Sequence, residues 1–320
     1  MDHIPPLDII ALRQTLVAKG VDPNINPSVA ESRRAQEAYG LSAPFPDGMA
    51  RSSSTLGGVP TEVLYPVSGR TRGALLYFHA GGYSSGSPAG HAALVGNLAQ
   101  RAGVAAYVVD YRRAPENPYP AAAEDAFEAY RGLLALDGVT ADRVIVAGDS
   151  AGGGLSLIVA QRAAASGLPT PAAAYLMSPW ADLTQSGKSY AVTADHDPML
   201  SRTSLSDLAR IYLGDHDPTD PLASPVFGEF SHELPLLLHV GSDEVLLSDS
   251  LAVASRAALG GSAVTLKVWP HMIHCFAWFH HELAAGRQAI DEAAEWMTTM
   301  LPQEQPSDQE AVALQEPALG

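Results

Sequence analysis

Apolar residues gather into two kinds of stretch along this chain. Six are short and mostly apolar, of strand length: Ala74–Phe78, Ala105–Val109, Val144–Ala147, Ala173–Met177, Leu236–Val240 and Val264–Trp269. Between most of them lie segments of helix length, such as His91–Ala102, Ala121–Leu136 and Leu155–Ser166. A strand that is apolar on both faces has to be covered on both, and strands that alternate with helices pair in parallel through helical crossovers. The pattern predicts an α/β fold with a mostly parallel central sheet flanked by helices. A pair of unrelated domains is the weaker alternative.

Three segments fall outside that alternation. Residues 1–50 begin with a short helix expected from Leu7 to Lys19, a Pro/Asn break from Asp22 to Pro27, and a second helix to Tyr39. Gly and Pro then dominate from Leu41 to Gly58. Between Ala181 and Leu234 about fifty residues show one helical piece, Arg202–Leu213, and no clear strand; so long an excursion in an α/β unit is usually functional. The expected division is a core of residues 51–180 and 231–301, with residues 1–50 and 181–230 as a helical cap. Residues 302–320 carry four acidic side chains and no Lys or Arg, which suggests a flexible acidic tail.

Composition narrows the function classes. The 320 residues include 47% hydrophobic and 17% charged, enough to bury a sizeable core, and the formal net charge is −16. Such a surface repels phosphate backbones and there is no basic run, so nucleic acid is not an expected partner. No apolar stretch approaches the roughly 18 residues that span a bilayer, so no membrane partner is expected either. The lone cysteine, Cys275, excludes an intramolecular disulfide and a Cys-rich metal site. The acidic, proline-containing start, Met1 to Ala11, lacks the form of a signal peptide, which makes a cytoplasmic location the expectation.

The chemistry begins at Gly148-Asp149-Ser150-Ala151-Gly152. This is G-x-S-x-G placed between a strand and an apolar helix, the context of a nucleophile elbow. A sharp turn there strains the serine backbone and leaves no room for side chains two positions either side. The helix behind Ser150 directs its positive end toward charge developing on an attacked carbonyl. No Gly-Lys-Ser/Thr follows, so the motif is not a P-loop. An earlier strand ends in His79-Ala80-Gly81-Gly82-Tyr83, a glycine-rich turn able to aim N–H groups outward. The N–H groups of Gly81, Gly82 and Ala151 are therefore the candidate oxyanion hole, and His79 reads as an anchor of that loop.

A serine nucleophile needs an imidazole to take its proton and a carboxylate to orient the imidazole. In this arrangement the order is Ser, acid, His, each after a strand's carboxyl end. Asp243 lies three residues past one late strand and His274 five past the next. Glu244 and Asp249 compete as the acid, one longer and one placed on the following helix; His271 competes as the base. The expected triad is Ser150, Asp243 and His274.

Taken together, His79-Ala80-Gly81-Gly82, the segment Tyr111-Arg112-Arg113-Ala114-Pro115-Glu116 continuing through Tyr119-Pro120-Ala121-Ala122, Gly148-Asp149-Ser150-Ala151-Gly152, Asp243 and Met272-Ile273-His274 resemble the hormone-sensitive-lipase-like family of bacterial esterases, often called family IV. The resemblance covers about residues 60–300. It implies an α/β-hydrolase fold with a helical cap, no cofactor, hydrolysis of short- to medium-chain carboxylic esters as small-molecule substrates, and often a homodimer. A lactone hydrolase or deacetylase would use the same triad, and a non-catalytic ligand-binding member of the fold is the rival from another class. Two positions depart from the family: Ala80 stands where its first glycine usually follows the motif histidine, and Cys275 stands where glycine usually follows the catalytic histidine. The first departure implies a reshaped turn with activity retained; the second implies a narrower acyl pocket or sensitivity to thiol reagents. Tyr83, Trp180, Met199, Leu200, Tyr212 and Phe276 are the candidate pocket lining, each able to serve equally as core.

Overall fold

The computed structural model describes residues 5–230 and 234–302, so the expected acidic tail lies, Pro302 apart, outside the described residues. Eight strands form one sheet: β1 (Met49–Leu56), β2 (Val59–Pro66), β3 (Ala74–Phe78), β4 (Ala105–Val109), β5 (Val144–Asp149), β6 (Ala173–Met177), β7 (Leu236–Gly241) and β8 (Val264–Trp269). Their spatial order is β1-β2-β4-β3-β5-β6-β7-β8. β2 is antiparallel to both β1 and β4, and every pair from β4 to β8 is parallel. The helices are α1 (Leu7–Ala18), α2 (Val29–Ser42), α3 (Pro88–Ala102), α4 (Ala121–Leu134), α5 (Ala151–Ala165), α6 (Ser189–Val192), α7 (Arg202–Leu213), α8 (Leu247–Leu259) and α9 (Ala284–Met300).

The six apolar runs are all strands, and five of them are buried at every position. Alternate residues serve opposite faces, as the strand period requires. Leu76, Phe78, Val146 and Leu176 join a core shared with Phe127 of α4, Leu155 of α5 and Val253 of α8. Leu75, Tyr77, Ile145 and Tyr175 join a second core with Leu94 of α3, Ile290 of α9 and Ile9 and Leu12 of α1. The first helix is therefore anchored in the second core. α2 lies directly on α3, so close that a Cβ on Gly40 would stand 1.8 Å from the Gly90 carbonyl oxygen.

One element escaped the hydrophobic pattern. β1 and β2 form an antiparallel hairpin through Gly57-Gly58, both at positive φ, where only a run of Gly and Pro was expected. β1 reads Met-Ala-Arg-Ser-Ser-Ser-Thr-Leu and occupies the sheet edge, so its middle is solvated and carries no apolar signal. The carboxyl ends of β3, β5, β6, β7 and β8 point to one edge, where their loops converge.

Candidate active site

β5 delivers Ser150 into the start of α5 with φ +55° and ψ −120°, a conformation side-chain-bearing residues rarely adopt. The flanking glycines answer to crowding of the backbone itself. A Cβ on Gly148 would come within 2.3 Å of the Gly152 carbonyl carbon, and one on Gly152 within 1.9 Å of the Phe78 oxygen. Hydrogen bonds hold the bend from both sides: Ser150 N–H donates to Met177 O, and Trp180 N–H to Ser150 O, each at 2.9 Å. Ala151 opens α5, so its N–H has no acceptor within the helix and stands at the positive end of the helix dipole.

After β3 the chain turns through Gly81 (φ +130°) and Gly82 (φ +56°). A Cβ on Gly81 would lie 2.1 Å from the Ser85 oxygen, so only glycine fits. Among the described residues neither glycine's N–H has an acceptor. The loop is tied down around them. Ala80 N–H donates to Asp149 Oδ1 at 2.9 Å, Tyr111 O–H to His79 O at 2.8 Å, and Arg33 Nε to Ser84 O at 2.8 Å. The His79 ring stacks on Tyr111 at 4.2 Å, and its Nδ1–H donates to Ala80 O at 2.7 Å. Burial, then the neighbouring His91, push its pKa down to about 3, so it is a neutral anchor of the loop. Ala80 has an ordinary negative φ, which is why a non-glycine residue is accommodated there.

The candidate base and its carboxylate partner come from the loops after β8 and β7. His274 Nδ1 lies 2.8 Å from Glu244 Oε2, both side chains buried. Glu244 Oε1 accepts from Ser178 O–H at 2.7 Å and from Gly241 N–H at 2.5 Å, so both carboxylate oxygens are engaged. Ser178 Oγ in turn accepts the Cys275 N–H at 3.2 Å, tying the acid loop to the base loop. Burial disfavours the imidazolium, but the Glu244 hydrogen bond and charge, with Asp197 and Asp149 behind, leave the His274 pKa above its ordinary value. Asp197 is itself pushed up to about 6 by burial, and its carboxylate holds the N–H groups of Val245, Met199 and Leu200.

Asp243, expected to orient the imidazole, does not touch it. Its carboxylate turns to the other side of the loop, where Oδ2 accepts from Arg13 Nη2 at 2.7 Å and Oδ1 from Ser242 O–H at 2.7 Å. The reason is geometric. Both residues lie in the turn after β7, which ends at Gly241, and in that turn Glu244 meets His274 while Asp243 meets Arg13. The extra methylene of Glu244 is what lets it reach back to its own Gly241 N–H and across to His274. His271, the rival base, sits at φ +63° with its N–H on Ser242 Oγ.

Asp149, the residue before Ser150, is among the charges that act on His274. No hydrogen bond of the Ser150 hydroxyl is present among the described residues, and the outer imidazole nitrogen, Nε2, lies 3.3 Å from Cys275 Sγ. Cys275 occupies a left-handed conformation (φ +49°, ψ 38°), which gives the family's glycine at this position a physical reason. Its thiol is buried, and burial with the Asp149 and Glu244 charges pushes its pKa far up. Of the expected pocket residues, Tyr83, Trp180, Tyr212 and Phe276 are fully buried; Tyr83 stacks on Tyr212 at 4.0 Å. Met199 and Leu200 are half-buried. The sequence pattern offered no sign of Ser178, Asp197 or Arg13, each of which has a partner far away in the chain.

Known proteins match this chain over most of its length. A family model described as an alpha/beta hydrolase fold matches residues 75–278. An acetyl-hydrolase of Streptomyces hygroscopicus is 43% identical over 269 residues, covering 83% of this chain and 87% of that protein. An ethyl acetate hydrolase of Pseudomonas putida is 35% identical over 209 residues, covering 63% and 65%. Among solved structures, an esterase from the bacterial hormone-sensitive lipase family superposes with a TM-score of 0.88 at 34% identity, covering 93% of this chain and all of that one. EstE5, soaked with p-nitrophenyl butyrate, superposes with a TM-score of 0.87 at 38% identity, covering 92% and 99%.

Proposed function

The chain belongs to the alpha/beta hydrolases, in their hormone-sensitive-lipase-like branch, and is a carboxylic ester hydrolase; from that premise we propose that Ser150, His274 and Glu244 are its catalytic triad. In this reading acid, base and strained serine elbow sit on loops at one sheet edge, and the observation that supports it is the buried Glu244–His274 contact of 2.8 Å. His274 Nε2 takes the Ser150 proton as Oγ adds to the ester carbonyl carbon. The N–H groups of Gly81, Gly82 and Ala151 receive the oxyanion. The imidazolium then protonates the departing alcohol, leaving an acyl-serine. Water, giving a proton to the same nitrogen, attacks the acyl carbon; the proton returns to Ser150 Oγ as the carboxylic acid leaves. Glu244 stays ionised and holds Nδ1–H throughout.

The acyl group is short. Relatives named for acetyl groups and ethyl acetate support this. In this reading residues 1–50 and 181–230 form the cap over the site. Replacing Ser150 with Ala is expected to abolish p-nitrophenyl butyrate hydrolysis and labelling by a fluorophosphonate while the circular dichroism spectrum is unchanged. Full activity in that variant would overturn the assignment.

A further inference from the structure

Asp243, freed from the triad, has a partner that needs explaining. Arg13 reaches from α1 with a fork that touches three separate segments. Nη2 donates to Asp243 Oδ2 at 2.7 Å and to His271 O at 3.3 Å, while Nη1 donates to His196 O at 2.7 Å. Asp243 immediately precedes Glu244, and His271 lies on the loop that carries His274. His196 immediately precedes Asp197, which holds Val245 N–H on one side and the N–H groups of Met199 and Leu200 on the other. The receiving end is stiff: Ser242 O–H donates to Asp243 Oδ1, His271 N–H donates to Ser242 Oγ at 2.8 Å, and Asp243 N–H donates to Met272 O at 3.1 Å. The ion pair is only about three-quarters shielded, at 26% and 22% side-chain exposure. As an isolated surface pair it would contribute little. Its effect lies in geometry, because a planar guanidinium can satisfy three acceptors at fixed angles where an ammonium cannot.

We propose that Arg13 is a positioning residue that registers the Met199–Leu200 wall against the loops bearing the acid and base, with Asp243 as its anchor. The proposal rests on the triad reading above. When the fork is lost, the 196–200 segment and α1 lose their common fastening to the catalytic edge. On this proposal Met199 and Leu200 line the acyl side of the site, so that a longer acyl chain meets the displaced segment and an acetyl group does not.

The test compares p-nitrophenyl acetate with p-nitrophenyl butyrate, each rate normalised to the active sites titrated by a fluorophosphonate. Arg13→Ala is expected to lower kcat/KM about tenfold for the butyrate, the scale of one or two methylenes of lost pocket contact, and by less than about threefold for the acetate. Asp243→Ala should produce the same split, the double variant should be no worse than either single one, and Arg13→Lys should recover only part of the loss. If folded Arg13→Ala keeps the wild-type ratio of the two substrates, or the double variant shows the product of independent losses, Arg13 holds no register and the proposal fails. A wild-type enzyme that is not labelled at Ser150 would instead sink the triad reading, whatever the Arg13 variants do.

Discussion

Exchanging Glu244 for Gln tests which of two adjacent carboxylates orients the imidazole. The native Glu244 accepts at both oxygens: from His274 Nδ1–H through Oε2, and from Ser178 O–H and Gly241 N–H through Oε1. A glutamine has one acceptor and one donor end. Because the Gly241 N–H cannot turn away, the amide oxygen must face it, which leaves the NH₂ toward His274 Nδ1. The ring then has to carry its proton on Nε2, the nitrogen that should receive the Ser150 proton. Imposing that wrong tautomer on a Ser-His-acid triad costs about 10⁴ in kcat, or about 5.5 kcal/mol. The pH profile supplies an independent sign. Glu244 raises the His274 pKa, and activity rises with pH as the imidazolium loses its proton. Removing the negative charge lowers that pKa, so the acidic limb of kcat/KM moves to lower pH while the plateau collapses. Asp243→Asn keeps an oxygen for Arg13 and leaves the imidazole's contacts intact, so its loss stays below about tenfold. Initial rates on p-nitrophenyl butyrate across pH 5 to 9 decide the matter. Wild-type activity in the Glu244→Gln variant, set against a thousandfold loss on changing Asp243, would refute the reasoning.

Two further outcomes follow from buried titratable groups. Cys275 is 3% exposed with its thiol pKa pushed far up, so iodoacetamide should leave the native enzyme at pH 7.5 unmodified and alkylate it only in denaturant; rapid native alkylation with loss of activity would contradict this burial. Asp249 is pushed up to about 8 by burial while it accepts the N–H groups of Ala181 and Asp182 and the Tyr190 O–H. A folded-state carboxyl pKa above the unfolded one means that the native state holds the extra proton, so this group's stabilisation is complete below pH 4 and is lost as pH rises toward 8. Asp249→Asn should therefore flatten the dependence of Tm on pH between 5 and 8, where one such group contributes at most about 1.4 kcal/mol per pH unit, and should not lower Tm at pH 8.

The parts of this molecule legible in the sequence are those where one local rule decides the outcome. A continuous apolar run of strand length has a single good solution in an α/β unit, so the six runs were found nearly to the residue. Gly148 and Gly152 are dictated by backbone contacts within the elbow itself, so the Ser150 motif announced its own geometry. The rest depended on contacts between distant segments. β1 is held by pairing with β2 and by nothing apolar in its centre. The choice between Asp243 and Glu244 could not be read from the strand, because both lie in the turn beyond Gly241. Side-chain length favoured Asp only under the assumption that the acid meets the histidine directly from the strand end. The structure has Glu244 accept the Gly241 N–H of its own loop while it meets His274. With Glu244 committed inward, the adjacent Asp243 had to face outward, and a cation 230 residues away in sequence meets it there. The separation of Asp243 from His274 and the invisibility of Arg13 are thus one event, because the turn that brings Glu244 to His274 also hands Asp243 to α1.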